Sequence, residues 1–214
     1  MKSKPAFSSL FSKSEGINKL SVARFFLFGA RDVWFVVALP VFLEASLGWN
    51  FEQVGAFMGT WVIGYGIVQG SAPALRRLWG QTSSPGVAAV QFWSALLTAI
   101  PALIGVALWR DANVAIAITA GLAAFGVVFA MNSSIHSYMV LAYTDAESVS
   151  LNVGFYYMAN AAGRLIGTLL SGAVFMLGRT ESGGMQACLW TSSLLVLLAW
   201  LSSLRLPAPL RTVS

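Results

Sequence analysis

An all-α membrane protein of six transmembrane helices is the fold class this sequence predicts, and three observations predict it. The 214-residue chain is 57% hydrophobic and 10% charged, with a mean hydropathy of +0.73, where soluble domains carry roughly 25% charged residues. Its apolar residues gather into six runs, each near the roughly 20 residues that one bilayer crossing needs. Its Lys and Arg residues fall mainly in alternate loops, the pattern of a multi-pass protein oriented by the positive-inside rule.

The first run spans Leu20 to Leu43 and is interrupted by Arg24, Arg31 and Asp32. No small-x-small cleavage pattern follows a short apolar core, so it reads as a retained span rather than a signal peptide. The second, Val54 to Leu75, ends at Arg76 and Arg77; the third, Gly86 to Trp109, is free of charge and stops at Arg110. The fourth, Val114 to Leu141, turns polar late through Asn132, Ser133, Ser134 and His136. The fifth, Val149 to Leu177, contains Arg164, and the sixth, Gln186 to Leu204, is again uncharged. The domain plan is a basic segment or linker over residues 1–19, a six-helix domain over 20–206 and a tail over 207–214.

Six spans put both termini and the loops after the second and fourth runs on one side. That side holds Lys2, Lys4, Lys13, Lys19, Arg24 (at the span boundary), Arg76, Arg77, Arg205 and Arg211, nine of the 13 basic residues. The other side holds Arg110 and Arg179, and Arg31 and Arg164 lie within spans. Both termini are therefore expected in the cytoplasm and the chain in the inner (plasma) membrane. Trp49, Trp79 and Trp109 stand at span ends, as interfacial anchors do. The net charge of +5 is explained by this topology, so no nucleic-acid partner is expected. A single cysteine, Cys188, excludes a disulfide framework and a cysteine-rich metal site, and no metal or cofactor is expected.

Lipid supplies no hydrophobic drive between helices, so small residues mark close approach. Ala159, Gly163, Gly167 and Ser171 recur at a spacing of four and form one smooth ridge on the fifth run. Gly55 with Gly59, and Gly66 with Gly70, repeat the spacing on the second.

A charge at mid-bilayer costs about 2.5–3.5 kcal/mol on insertion scales and calls for a reason. At 1.5 Å per residue, Arg31 lies roughly 17 Å into the first span and Arg164 roughly 22 Å into the fifth. Both depths are near the middle of a core roughly 30 Å thick. With Asp32 beside them, the two arginines form an electropositive site whose planar forks suit phosphate and carboxylate. The alternative is an Arg164–Asp32 ion pair that only fastens two helices. Asn160 and Tyr156 share the Arg164 face at helical spacing, either to orient a ligand or to bond between helices. Asn132 and His136 form a further i, i+4 pair, with Asn132 a ligand candidate and His136 a proton site or an interhelical hydrogen-bonder. Asp32 is the first candidate for proton coupling. Charge and clustered polarity fall on the first, fourth and fifth runs, the arrangement of a transporter half built as a 3+3 inverted repeat with its third and sixth helices toward lipid.

Longer words carry a family resemblance. The stretch RFFLFGARDVWFVVALPVFLEASLGW, residues 24–49, resembles the seventh helix of the organoarsenical efflux permeases (ArsJ type) of the major facilitator superfamily. NVGFYYMANAAGRLIGTLLSG, residues 152–172, resembles their eleventh helix, and WVIGYGIVQG with SAPALRR, residues 61–77, their eighth helix and the loop after it. The superfamily signature in that loop is reduced here to Arg76 and Arg77. The resemblance implies one six-helix half of a major facilitator fold. It also implies a proton-driven antiporter in arsenic resistance that exports 1-arseno-3-phosphoglycerate, made by a partner glyceraldehyde-3-phosphate dehydrogenase. The family has twelve helices, so an amino-terminal six-helix half, or a second copy, is the expected partner.

Other function classes fit less well. A permease for another organic anion or a drug keeps the same fold, and a non-transporting scaffold or truncated half keeps only the helices. A six-span intramembrane serine protease needs a Gly-x-Ser-Gly element and a histidine on another helix. The sequence has no such element, and His136 shares its run with Ser133, Ser134 and Ser137, so no enzyme is expected.

Overall fold

The computed structural model describes residues 14–110, 113–144 and 148–209, and all the regular structure among them is helical. Most of the expected basic segment, Asp111 and the end of the tail lie outside the described residues. The elements are α1 (Glu15–Phe35), α2 (Ala38–Leu47), α3 (Phe51–Leu78), α4 (Val87–Trp109), α5 (Val114–Ala142), α6 (Val149–Leu177) and α7 (Glu181–Ser203).

Five stretches are long and apolar enough to cross a membrane: Glu15–Leu47, which joins α1 and α2, and the helices α4, α5, α6 and α7. The expected second span is the 28-residue helix α3, and it is not one of the five. Its composition explains this, because Glu52, Gln53, Gln69 and the glycines 55, 59, 64, 66 and 70 dilute its apolar content. An all-helical protein with membrane-type spans is what these elements support.

Helix starts follow from capping chemistry. Ser14 accepts the Ile17 N–H, Asn50 and Gln53 close a reciprocal capping box, and Asn113 and Thr180 accept from Ile116 and Gly183. The Ser14 cap, reinforced by a Glu15–Lys19 ion pair at 2.6 Å, starts α1 five residues before the expected Leu20. Arg24 therefore sits well inside the helix, not at its edge. The break between α1 and α2 falls at Val36 and Val37, where Pro40 has no N–H for the Val36 carbonyl. The freed Ala38 N–H is taken by the Ser171 hydroxyl of α6 at 3.0 Å.

Helix contacts run in the spatial order α6, α1, α7, α4, α5, α3. Side chains clasp the joints: Ser192 donates to the Ala30 carbonyl (2.6 Å), Ser193 to Thr98 (2.8 Å) and the Trp61 indole to Leu122 (2.8 Å). At one end of the bundle, Ser14 donates to the Tyr143 carbonyl, the Tyr143 hydroxyl to Pro207 and Gln91 to Ser203.

α3 and α6 stand at the two ends of this order and are the least covered helices, with only Val54 and Ala72 buried on α3. The outer surfaces of α4 and α7 are plain apolar stripes, Phe92, Leu96 and Leu103 on one and Trp190, Leu194 and Leu201 on the other. The open face of α6 instead carries Arg164 beside Leu165 and Leu169.

Candidate functional site

The small-residue ridge of α6 determines how close the site's two helices come. A Cβ placed at Gly163 would run into the Phe25 carbonyl of α1, and one at Gly167 would lie 2.6 Å from the Gly29 oxygen. Ser171 ends the contact at the α1–α2 break, and Ala159 lies half-buried one turn before Gly163. Backbone thus rests on backbone, and Arg164 is carried to the flank of α1 that holds Asp32.

Asp32 is 1% exposed and is shared by two guanidiniums. Arg31 Nε lies 2.6 Å from one carboxylate oxygen and Arg164 Nε 3.2 Å from the other. Both contacts use Nε, and among the described residues neither arginine makes another hydrogen bond. The terminal nitrogens of both forks remain able to donate. The two arginines differ in access: the Arg31 side chain is 13% exposed and that of Arg164 56%. Of the two sequence readings, an ion pair or an anion site, the geometry contains the first and leaves donors for the second.

A third arginine completes the cluster. Arg24 is 3% exposed, donates to the Ser133 hydroxyl (2.9 Å) and carbonyl (3.4 Å) of α5, and has no carboxylate against it among the described residues. Its guanidinium lies 3.9 Å from the Phe28 ring centroid and 5.0 Å from that of Tyr156. Arg31 flanks the same Phe28 ring at 4.9 Å and Phe129 at 5.6 Å. Arg24, Phe28, Arg31 and Asp32 fall at i, i+4, i+7 and i+8, one face of α1. With Arg164 this gives three cations to one buried anion, each of the two inner cations beside an aromatic face.

The remaining expected residues separate. Tyr156 is buried beneath Arg24, and on the same helix as Arg164 the Asn160 carbonyl oxygen is enclosed with no hydrogen-bond partner among the described residues. Asn132 goes elsewhere: its amide donates to the Ser94 hydroxyl at 3.1 Å, a contact that fastens α5 to α4. The reason is direction, since the Asn132 face of α5 is the one that packs on α4. His136 is fully buried on α5, and neither ring nitrogen meets a partner among the described residues. Compared with known families and with curated proteins, the chain matches no family model and no curated protein.

Proposed function

We propose that the chain is half of a secondary-active efflux permease that carries a small organic anion across the inner membrane. The observation that carries this reading is the buried Asp32 carboxylate held between Arg31 and Arg164, with the outer donors of both forks unused and one fork open on α6. A mid-span arginine more than half exposed has no place against hydrocarbon, and it suits a water-filled cavity that accepts an anion. Asp32 neutralises one charge and holds both forks in place, while Arg24 adds to the local positive potential. Protonation of Asp32 would free both Nε groups, which couples proton and anion occupancy through one carboxylate.

The resemblance to ArsJ-type major facilitator permeases makes the substrate an organoarsenical such as 1-arseno-3-phosphoglycerate, supplied by a glyceraldehyde-3-phosphate dehydrogenase. On this reading α3 is the second of six spans, both termini are cytoplasmic, and a second six-helix unit covers the open faces of α3 and α6. That unit is an amino-terminal half or a second copy, and it supplies the other wall of the cavity. The contrast between the uncharged stripes of α4 and α7 and the Arg164-bearing face of α6 supports this division between lipid and partner.

The test is arsenate resistance and vesicle transport by the chain assembled with its partner half. Arg31→Ala and Arg164→Ala each abolish resistance while the protein stays in the membrane, and Arg164→Lys retains part of it. Normal resistance in both alanine variants would remove the site. Transport unchanged by a pH gradient would remove the proton role of Asp32.

A further inference from the structure

A second basic cluster lies at the end of the bundle that gathers Ser14, Tyr143 and Pro207, separate from the Asp32 cluster. Here α3 ends in a helix-stop motif dictated by one glycine: Gly80, at φ +75°, lets its own N–H reach Arg77 O (3.0 Å) and the Gln81 N–H reach Arg76 O (2.9 Å). The turned chain brings Thr82, Ser83 and Ser84 back beside the helix end. Arg76 pins it, with Nε donating to the Gln81 side chain (3.2 Å) and a terminal nitrogen to Ser83 O (3.2 Å).

The result is a cavity of about 360 Å³ lined by Arg76, Arg77, these three hydroxyl residues, and Ser134 and Tyr138 from α5, with no acidic side chain in its wall among the described residues. Arg77 makes no hydrogen bond or ion pair to any described residue. Two cations and several hydroxyl side chains around one cavity suit a phosphate. The carbonyl end of α3 opposes an anion by a fraction of a charge, which two full positive charges outweigh.

We propose that this cavity holds the phosphate of an anionic phospholipid from the adjacent leaflet. The lipid source is favoured by what flanks the cavity. Leu78 and Trp79 follow Arg77 directly and are exposed, and Trp79 stacks on Trp93 (centroids 6.0 Å apart), with Phe92 exposed beside it. An indole at a helix end with arginines next to it is the signature of headgroup depth, so acyl chains find an apolar wall where the phosphate finds its donors. The bound lipid ties the α3–α4 turn to α5 and anchors the least covered helix of the bundle.

Native mass spectrometry of the full chain released from nanodiscs tests this, with phosphatidylglycerol and phosphatidylcholine offered in equal amounts. The expected result is one retained phosphatidylglycerol per chain. Removing each arginine (Arg76→Gln, Arg77→Gln) weakens retention by about fivefold, and removing both by about thirtyfold, at low salt. Arg179→Gln, at the opposite end, leaves retention unchanged. Helical content by circular dichroism confirms folding, and Ser83→Ala with Ser84→Ala provides a charge-neutral second test with a smaller loss. Equal retention of the two lipids, or equal loss in the Arg179 control, overturns the site. Displacement of the retained phosphatidylglycerol by free glycerol 3-phosphate, absent when Arg76 and Arg77 are both replaced by glutamine, would assign the cavity to a soluble phosphate and overturn the lipid.

Discussion

Gly167→Ala tests whether the α6 ridge positions the site. A Cβ at residue 167 would stand 2.6 Å from Gly29 O and 2.8 Å from its Cα. Ordinary contact begins near 3.4 Å, so α6 must retreat from α1 by about 0.8 Å, because the obstacle is backbone and cannot rotate away. Arg164 sits one turn along the same helix, and its 3.2 Å contact with Asp32 then opens to about 4 Å, beyond hydrogen-bond range. Overpacking of this kind costs about 1–3 kcal/mol. The chain's one thiol provides the assay. Cys188 is fully buried on α7 and donates to the Ser171 carbonyl of the same ridge at 3.6 Å, so it reacts with maleimide only when α6 lifts away. The loss predicts labelling faster by about 5- to 150-fold. Gly172→Ala is the matched control, five residues on in the same helix with nothing within 4 Å of its added methyl. Its labelling stays at the wild-type rate or slows slightly. Equal rates in the two variants would refute the reasoning, since helix propensity alone then explains both.

Three further outcomes follow from other contacts. Asp32→Asn leaves the buried Arg31 without its counter-charge and costs about 3–5 kcal/mol in reversible detergent unfolding, whereas Arg164→Gln costs at most about 1 kcal/mol because that side chain is more than half exposed; the reverse order would contradict the assignment of Arg31 as the inner member. Trp61→Phe removes the indole bond to Leu122 and costs about 0.5–1.5 kcal/mol, read as faster hydrogen exchange in α3 with α7 unchanged. Tyr143, just beyond the end of α5, has its phenol pushed up by burial to about 12, from about 10 in the unfolded chain. The folded state then favours the protonated form, so its stabilising contribution is full below pH 10 and is lost as pH rises from about 10 to about 12. Tyr143→Phe should flatten the stability profile in that window, and an unchanged profile would show that another group titrates there.

Much of this architecture was legible because bilayer length and residue size impose simple periods. Five of the apolar runs coincide with helices α1–α2, α4, α5, α6 and α7 to within a few residues, since run length is all that a span requires. The spacing of four through Gly163, Gly167 and Ser171 named the α6 contact face correctly because only small residues permit backbone approach. The helix start ahead of Arg24 was missed for an identifiable reason. The α1 cap Ser14 and the Glu15–Lys19 pair lie in a polar stretch that hydropathy discounts, although Ser followed by Glu and a lysine four residues later is a helix-start signal. The partner of Asn132 could not be read, because Ser94 lies 38 residues away and nothing local says which helix meets which. The break at Val36 was available in principle from Pro40, four residues on.

The charges of the cluster constrain how it works. Arg31 and Arg164 share one carboxylate and Arg24 has none against it among the described residues, so the cluster holds a surplus of positive charge even with every contact made. A structural fastener has no need of that surplus: one arginine and one aspartate suffice, and a second or third buried cation only adds desolvation cost. The surplus is also graded. Arg24 is enclosed and bonded to Ser133, Arg31 is nearly enclosed, and Arg164 is open, so positive potential increases inward from an accessible fork. Low-dielectric walls of Phe28, Phe129 and Tyr156 keep that potential from being screened. On the proposed reading, an anion admitted beside Arg164 passes the Asp32 carboxylate before it meets the enclosed guanidiniums. That order sets the cluster's one carboxylate between the open fork and the enclosed cations, where it bears on both.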